Sequence, residues 1–151
     1  NTEIILAGKN PHSKVRNLQN VRIIANPSNN ELKELMLSSD LFISPVFQGS
    51  GMKVKVMDAL AYGLPIVASE HSLIGYESIT EKALIFPFKD RNSDAFENAL
   101  SSAKDVLETK DRTTVFKIQR ELFRDFFSIY NAERTLLGIL KDLTKEGAIS
   151  K

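Results

Sequence analysis

SPVFQGSGMKVKVMDALAYGLPIVAS, residues 44–69, is the segment that decides how this chain folds. An apolar run ends at Pro45, a loop with two glycines and an amphipathic segment follow, and a second apolar run covers 66–69. We interpret the segment as strand, loop, helix from about Met52 to Ala61, turn and strand, with Gly63 ending the helix. A strand, a crossover helix and a strand predict parallel strands.

The rest of the chain alternates in the same way. The predicted strands cover residues 2–7, 21–25, 41–44, 66–69 and 83–86. The predicted helices are a short one within 11–20, one begun by a Ser28–Glu31 capping box, 93–108, 113–130 and a last one that Asn131 caps. We therefore predict an α/β fold in a single domain, 1–151: a Rossmann-like parallel sheet with helices on both faces and a helical C-terminal tail.

An aromatic stripe marks the predicted helix 113–130. We assign its five members to the core, and they are Phe116, Phe123, Phe126, Phe127 and Tyr130. A docking face or a membrane-facing surface is the alternative, because Lys117, Arg120 and Arg124 flank the stripe.

Composition excludes several classes of protein. Hydrophobic residues make up 42% and charged residues 26% of the 151, as in globular proteins, and there is no cysteine for a disulfide or a thiolate metal site. The net charge of +1 creates no overall positive potential that would attract nucleic acid. No transmembrane run and no basic signal-peptide start is present. We expect a cytoplasmic protein without a nucleic-acid partner, with the inner membrane face as an alternative location.

The loop at 46–51 is the best candidate for a binding site. Gly49 and Gly51 let the backbone approach a ligand closely, and the helix start that follows offers unpaired N–H groups and a positive dipole end. Lys53 and Lys55 in the first predicted turn are explained if an anion lies nearby. Phosphate is the expected ligand, although a plain turn with solvated lysines explains the same residues, and neither sharper phosphate-binding glycine motif is present.

The same segment resembles the donor-site segment of GT-B fold glycosyltransferases, the retaining family 4 or group 1 glycosyl transferases. Those enzymes typically show Pro-Ser, a Glu-Gly or Gly-Ser-Gly loop, and a helix ending Glu-Ala-Met/Leu-Ala-x-Gly-x-Pro-Val-Val-Ala. Here Ser44-Pro45, Gly49-Ser50-Gly51 and the run from Asp58 to Ser69 carry the likeness. The strands at 4–8 and 21–28 follow the family order, so the resemblance covers essentially the whole chain.

The resemblance implies roles for individual residues. Those expected to line the diphosphate and sugar are Gly49, Ser50, Gly51, Met52 and Lys53. Lys55 is expected on or beside the phosphate, or else over the helix surface, and Asp58 at the ribose hydroxyls. Gly8 and Lys9 are expected at the edge of the pocket, and Pro27, Ser28 and Pro45 near the base. Lys53 is the expected catalytic residue, stabilising the charge on the leaving diphosphate.

The family also implies a function for the whole protein. We expect the nucleotide-sugar-binding, C-terminal half of a hexosyltransferase in carbohydrate biosynthesis, which needs no cofactor or metal. Its acceptor, a sugar or a lipid-linked sugar, would be held by an absent N-terminal domain. The first strand–helix unit of the donor domain, expected between the strands at 2–7 and 41–44, is also expected to be missing from residues 1–151; completion of the sheet by another chain or by altered pairing is the alternative. The 151 residues alone are therefore expected to be inactive. A dimer is a further possibility that the sequence does not decide.

Two departures from the family pattern bear on activity. Ser50 replaces the first acid of a pair eight residues apart, and Asp58 shortens the second. A catalytically silent nucleotide-binding module is therefore the alternative function. A receiver-type signalling domain fits poorly, because its acidic cluster at strand ends is missing. Outside the loop, His71 after the fourth strand is a candidate contact for phosphate or base, and His12 is a weaker candidate. For both, the alternative is an exposed loop histidine without a role in binding.

Overall fold

The computed structural model describes residues 2–11, 20–89 and 91–145, and the chain divides into two compact units, Asn1–Ser39 and Asp40–Lys151. The predicted short helix within 11–20 and His12 lie outside the described residues, apart from the ends of that segment.

The first unit is a two-stranded parallel sheet and a helix. Strand β1 (Ile4–Gly8) pairs in parallel with β2 (Val21–Ala25), from Ile4 opposite Val21 to Gly8 opposite Ala25. Helix α1 (Asn29–Ser38) begins with the predicted capping box: the Ser28 hydroxyl accepts from the Glu31 amide, and the Glu31 carboxylate accepts from the Ser28 amide at 2.7 Å. The two predicted strands, their parallel direction and the cap are confirmed, but β1 begins at Ile4 rather than Thr2 and includes Gly8.

Strand β1 is exposed, although its continuous apolar run is typical of a buried parallel strand. Ile4 and Leu6 keep 46% and 39% of their surface exposed. β2 is the one strand that β1 pairs with in the described part of the chain, and a two-stranded sheet offers little cover to alternate side chains. A further strand between those predicted at 2–7 and 41–44 stays a prediction.

The second unit holds a three-stranded parallel sheet. Strand β4 (Ile66–Ser69) lies between β3 (Phe42–Ser44) and β5 (Ile85–Phe88), with parallel ladders on both sides. All four residues of β4 are buried, as expected for a central parallel strand. The fifth strand was predicted at 83–86 and begins two residues later.

Helices cover both faces of this sheet, as predicted. On one face, α4 (Ser93–Thr109) packs Ala99 and Ala103 against Val67 and Phe88. On the other, α2 (Val54–Tyr62) buries Val56, Ala59 and Leu60, and α5 (Arg112–Phe127) packs along it. Gly63 ends α2 in the left-handed conformation, as predicted, and a methyl group there would meet the Phe116 backbone at 2.9 Å.

The C-terminal helices differ from the prediction in their boundary. The predicted helix 113–130 ends at Phe127, and α6 (Ile129–Lys145) begins after Ser128, whose hydroxyl accepts from the Asn131 amide. Asn131 therefore lies within α6 and does not cap it. Tyr130 belongs to α6 and is 71% exposed, so its assignment to the core is wrong, whereas the four phenylalanines are half-buried.

Two short helical segments were not predicted. A 3₁₀ turn covers Glu70–Leu73 directly after β4, and α3 covers Glu77–Thr80. No helix of the described residues is long and apolar enough to cross a membrane.

Candidate functional site

The candidate site is the loop between β3 and α2, at the carboxyl edge of the second sheet. Gly49 and Gly51 have φ of +99° and +70°, in the left-handed region that favours glycine, so the two glycines allow the path that the chain takes here. The loop is exposed from Gln48 to Met52. Parallel α/β sheets bind ligands at this edge.

Helix α2 begins later than predicted. Lys53 is its N-cap, with extended backbone at φ −87° and ψ 99°, and the first helical residue is Val54. The left-handed Gly51 and the extended Lys53 explain the shift, because neither conformation continues a helix. Lys53 therefore lies just outside the first turn and Lys55 within it, a correction to the prediction that both are in the turn.

The N-terminus of α2 carries unused donors. In the described residues, no group accepts a hydrogen bond from the five consecutive amides of Gly51 to Lys55. Lys53 caps the helix without any side-chain hydrogen bond to it, and the first turn has no acidic residue. A helix start with free amides and a positive dipole end favours an anion.

The Lys53 ammonium group satisfies the carbonyls of the same loop. Nζ donates to Gly51 O at 2.8 Å and lies 3.4 Å from both Gly49 O and Ser50 O. The loop carbonyls thus point to the lysine, and its positive charge is fixed at the loop.

His71 closes the loop from the side of β4. Its Nε2 lies 2.7 Å from Gly49 O and donates to it when that nitrogen carries the proton. The sequence predicts His71 as a contact for phosphate or base, and the structure places it against the backbone of the loop.

A serine cluster fixes the start of the loop. The buried Ser72 hydroxyl donates to Ser44 O at 2.7 Å and accepts from the Val46 amide at 3.2 Å. Ser69 donates to Val46 O and also lies 3.0 Å from the Ser72 hydroxyl. These bonds join the ends of β3 and β4. This cluster was not predicted, although the serines at 44, 69 and 72 all follow or end predicted strands.

Tyr76 fixes the other end of the loop and was also missed. The side chain is fully buried, and its hydroxyl donates to Lys53 O at 2.9 Å. Burial raises the pKa of Tyr76 above its ordinary value; a hydrogen bond from the Met57 amide opposes this rise, and the charge of Asp58 adds to it. The preceding Gly75 has φ +89°, and any side chain on it would collide with Met52 Cγ, so Met52 packs directly on Gly75.

Lys55 and Asp58 form a pair on the surface of α2. Lys55 Nζ lies 2.8 Å from Asp58 Oδ2, one turn along the helix. This contact engages one oxygen of the carboxylate predicted to hold ribose. It also agrees with the interpretation that Lys55 covers the helix surface.

The remaining predicted residues are spread over both units. Pro45 is exposed directly after β3. In the first unit, Gly8 ends β1, Lys9 is exposed after it, and Pro27 and Ser28 follow β2. The Asn26 amide donates to Gly8 O at 2.8 Å, which joins the two strand ends. In the described residues, no group of three or more histidines and acids is arranged to hold a metal ion.

Comparison with known proteins gives the family. The sequence model of the family "Glycosyl transferases group 1" matches residues 1–104, which include β1 to β5 and the whole candidate loop. The chain belongs to this family. The resemblance seen in the sequence is thereby confirmed.

The comparison with solved structures gives the fold. The chain is similar to WaaG, described as a glycosyltransferase involved in lipopolysaccharide biosynthesis, with a TM-score of 0.55 and 19% identity. The match covers 80% of this chain and 31% of WaaG, so the chain spans about a third of that enzyme's length. The fold is that of GT-B glycosyltransferases. Comparison with curated protein sequences gives no match.

Proposed function

We propose that this glycosyltransferase domain binds the diphosphate of a nucleotide-diphosphate sugar at the glycine loop and the start of α2. The observation that carries the proposal is the row of five amides from Gly51 to Lys55, for which the described part of the chain supplies no acceptor, next to the Lys53 ammonium group. A phosphate group is the ligand whose charge and acceptor oxygens match free helix amides and a lysine. Membership of the family supports a nucleotide sugar as its carrier.

Catalysis in this proposal is electrostatic. When the sugar leaves, negative charge builds up on the diphosphate, and fixed N–H donors and a lysine stabilise that charge without having to reorganise. Lys53 supplies the charge, because Lys55 is already paired with Asp58. The second Asp58 oxygen stays available for a ribose hydroxyl. We further propose that a domain outside residues 1–151 holds the acceptor, a sugar or lipid-linked sugar, and that a hexose is transferred.

Calorimetric titration of the full-length protein with UDP, GDP and ADP tests the binding step. We expect one of the three to bind, and Lys53→Ala to weaken it by tenfold or more, because the substitution removes the positive charge beside the phosphate. Lys104→Ala, an exposed lysine on α4, is the matched control and should bind as wild type. Equal affinity of the two variants, or binding of none of the nucleotides, would overturn the proposal.

Turnover separates transfer from silent binding. Release of nucleoside diphosphate from the matching nucleotide sugar, in the presence of acceptor, is expected and should fall strongly in Lys53→Ala. Tight nucleotide binding without any turnover would favour the alternative function, a catalytically silent nucleotide-binding module, which Ser50 at the position of the family's first acid suggests.

A further inference from the structure

A cavity of about 570 Å³ opens beside the glycine loop, at the carboxyl ends of all three strands of the second sheet. It is lined by Phe47, Ser69, Glu70, His71, Ile74 and Arg91. Phe47 follows β3, the residues 69–74 end and follow β4, and Arg91 follows β5. The volume falls within the range of about 300–1,000 Å³ typical of small-molecule sites.

The wall of the cavity is half polar and half apolar. Glu70 and Arg91 present a carboxylate and a guanidinium group, and neither forms an ion pair with any residue that the structure describes. Phe47 and Ile74 supply apolar surface, with the Arg91 guanidinium 5.4 Å from the centre of the Phe47 ring. Phe47 is itself held edge-on against Phe88, so its position is fixed by the core.

His71 joins the cavity to the proposed phosphate site. The side chain lines the cavity, and its Nε2 lies 2.7 Å from Gly49 O in the glycine loop. Lys53 Nζ, in the proposed phosphate site, lies 3.4 Å from the same Gly49 O, so the wall of the cavity and the phosphate site share this carbonyl.

A larger cavity elsewhere does not share these properties. About 680 Å³ lies along the exposed face of α5, from Arg112 to Arg124. All its lining residues come from that single helix. Arg112 is paired with Asp40, and Arg124 with Asp125.

We propose that the cavity beside His71 binds the glycosyl ring of the nucleotide sugar, with Glu70 and Arg91 as the residues that determine which sugar is accepted. This inference rests on the proposed donor function. Sugar hydroxyl groups donate to a carboxylate and accept from a guanidinium group, and the apolar face of the ring packs on Phe47 and Ile74. A bare nucleoside diphosphate lacks the ring and does not reach Glu70 or Arg91.

The test compares two ligands in each variant of the full-length protein. Calorimetry gives the Kd of the nucleoside diphosphate that binds and of its hexose ester (UDP-glucose, GDP-mannose or ADP-glucose). We expect Glu70→Gln and Arg91→Gln each to raise the ratio of the ester Kd to the diphosphate Kd by about tenfold, the effect of losing one charged hydrogen bond. Glu108→Gln and Arg134→Gln, exposed on α4 and α6, are matched controls with an unchanged ratio.

Each other outcome has a distinct meaning. An unchanged ratio in Glu70→Gln and Arg91→Gln, with Lys53→Ala still weakening both ligands, overturns the sugar subsite and leaves the proposed function standing. Equal losses for both ligands assign the cavity to the nucleotide and also overturn the subsite. Failure of wild type to bind any diphosphate overturns the proposed function and the subsite together.

Discussion

Tyr76 links the core to the candidate loop through one hydroxyl group. Its ring is fully buried, 5.4 Å from the Phe127 ring, and its hydroxyl holds the carbonyl of Lys53, the residue that caps α2. Lys53 O also accepts from the Val56 amide at 2.8 Å, so loss of the hydroxyl leaves the carbonyl partnered. The tyrosine therefore contributes a modest stability and a fixed geometry.

We expect Tyr76→Phe to cost about 1 kcal/mol of unfolding free energy at pH 8, the net value of one hydrogen bond. The raised pKa of Tyr76 means that the folded state keeps this proton longer than the unfolded chain. The contribution is thus complete below the ordinary pKa of 10.0 and is lost as pH rises through the folded value.

Urea unfolding of both proteins between pH 8 and pH 11 measures the effect. The difference between wild type and Tyr76→Phe should shrink above pH 10. Tyr130→Phe, on a side chain that is 71% exposed, should match wild type at pH 8. A difference that stays constant to pH 11 would contradict the assigned cause.

At the scale of elements, Gln119 attaches α5 to the edge of the sheet. It is fully buried: its Oε1 accepts from the Leu84 amide at 2.8 Å, and its Nε2 donates to Leu64 O at 2.7 Å and to Leu84 O at 3.3 Å. Leu64 and Leu84 lie just before β4 and β5, so one side-chain amide joins two strand starts to a helix.

Gln119→Leu should destabilise the second unit by about 2–4 kcal/mol, because the half-buried Leu84 N–H and the buried Leu64 carbonyl lose the side-chain amide that pairs with them. Glu121→Leu places the same side chain at an exposed position of the same helix, and we expect a change within about 0.5 kcal/mol. Chemical denaturation of both variants gives the comparison. Equal stabilities would show that water replaces the amide at the strand starts.

Local sequence signals predicted most of the elements, because their causes are local. The bounds of β2 and β4, the Ser28–Glu31 cap and the stop at Gly63 follow from strand runs, capping spacing and glycine conformation. The start of α2 was missed by two residues, since it depends on the backbone angles of the loop.

Contacts that join distant parts of the chain were not predictable in the same way. Gln119 reaches Leu64 across 55 positions, and Tyr76 reaches Lys53 across 23. A polar residue within an apolar stripe and a tyrosine after a glycine carry no local sign of such partners. The loop was located from its two glycines and the family pattern, whereas the carbonyl contacts of Lys53 and His71 required the structure.

At the scale of the whole molecule, burial is distributed unevenly. The fully buried apolar residues, Val56 to Val115, all belong to the second unit. None of the described residues of the first unit, 2–11 and 20–39, is buried. Apolar burial is the main stabilising term in folding, so the two units should differ in local stability.

Hydrogen exchange measured by mass spectrometry tests this difference on the 151-residue chain. We expect amides of β2 to exchange much faster than those of β4, because a two-stranded sheet with exposed side chains opens at low cost. The same measurement on the full-length protein tests the expected additional strand. If that strand pairs with β1, protection of β1 and β2 rises there while β4 stays as before. Equal protection of β2 and β4 in the 151 residues would contradict the prediction, because it would mean that opening either sheet costs the same free energy.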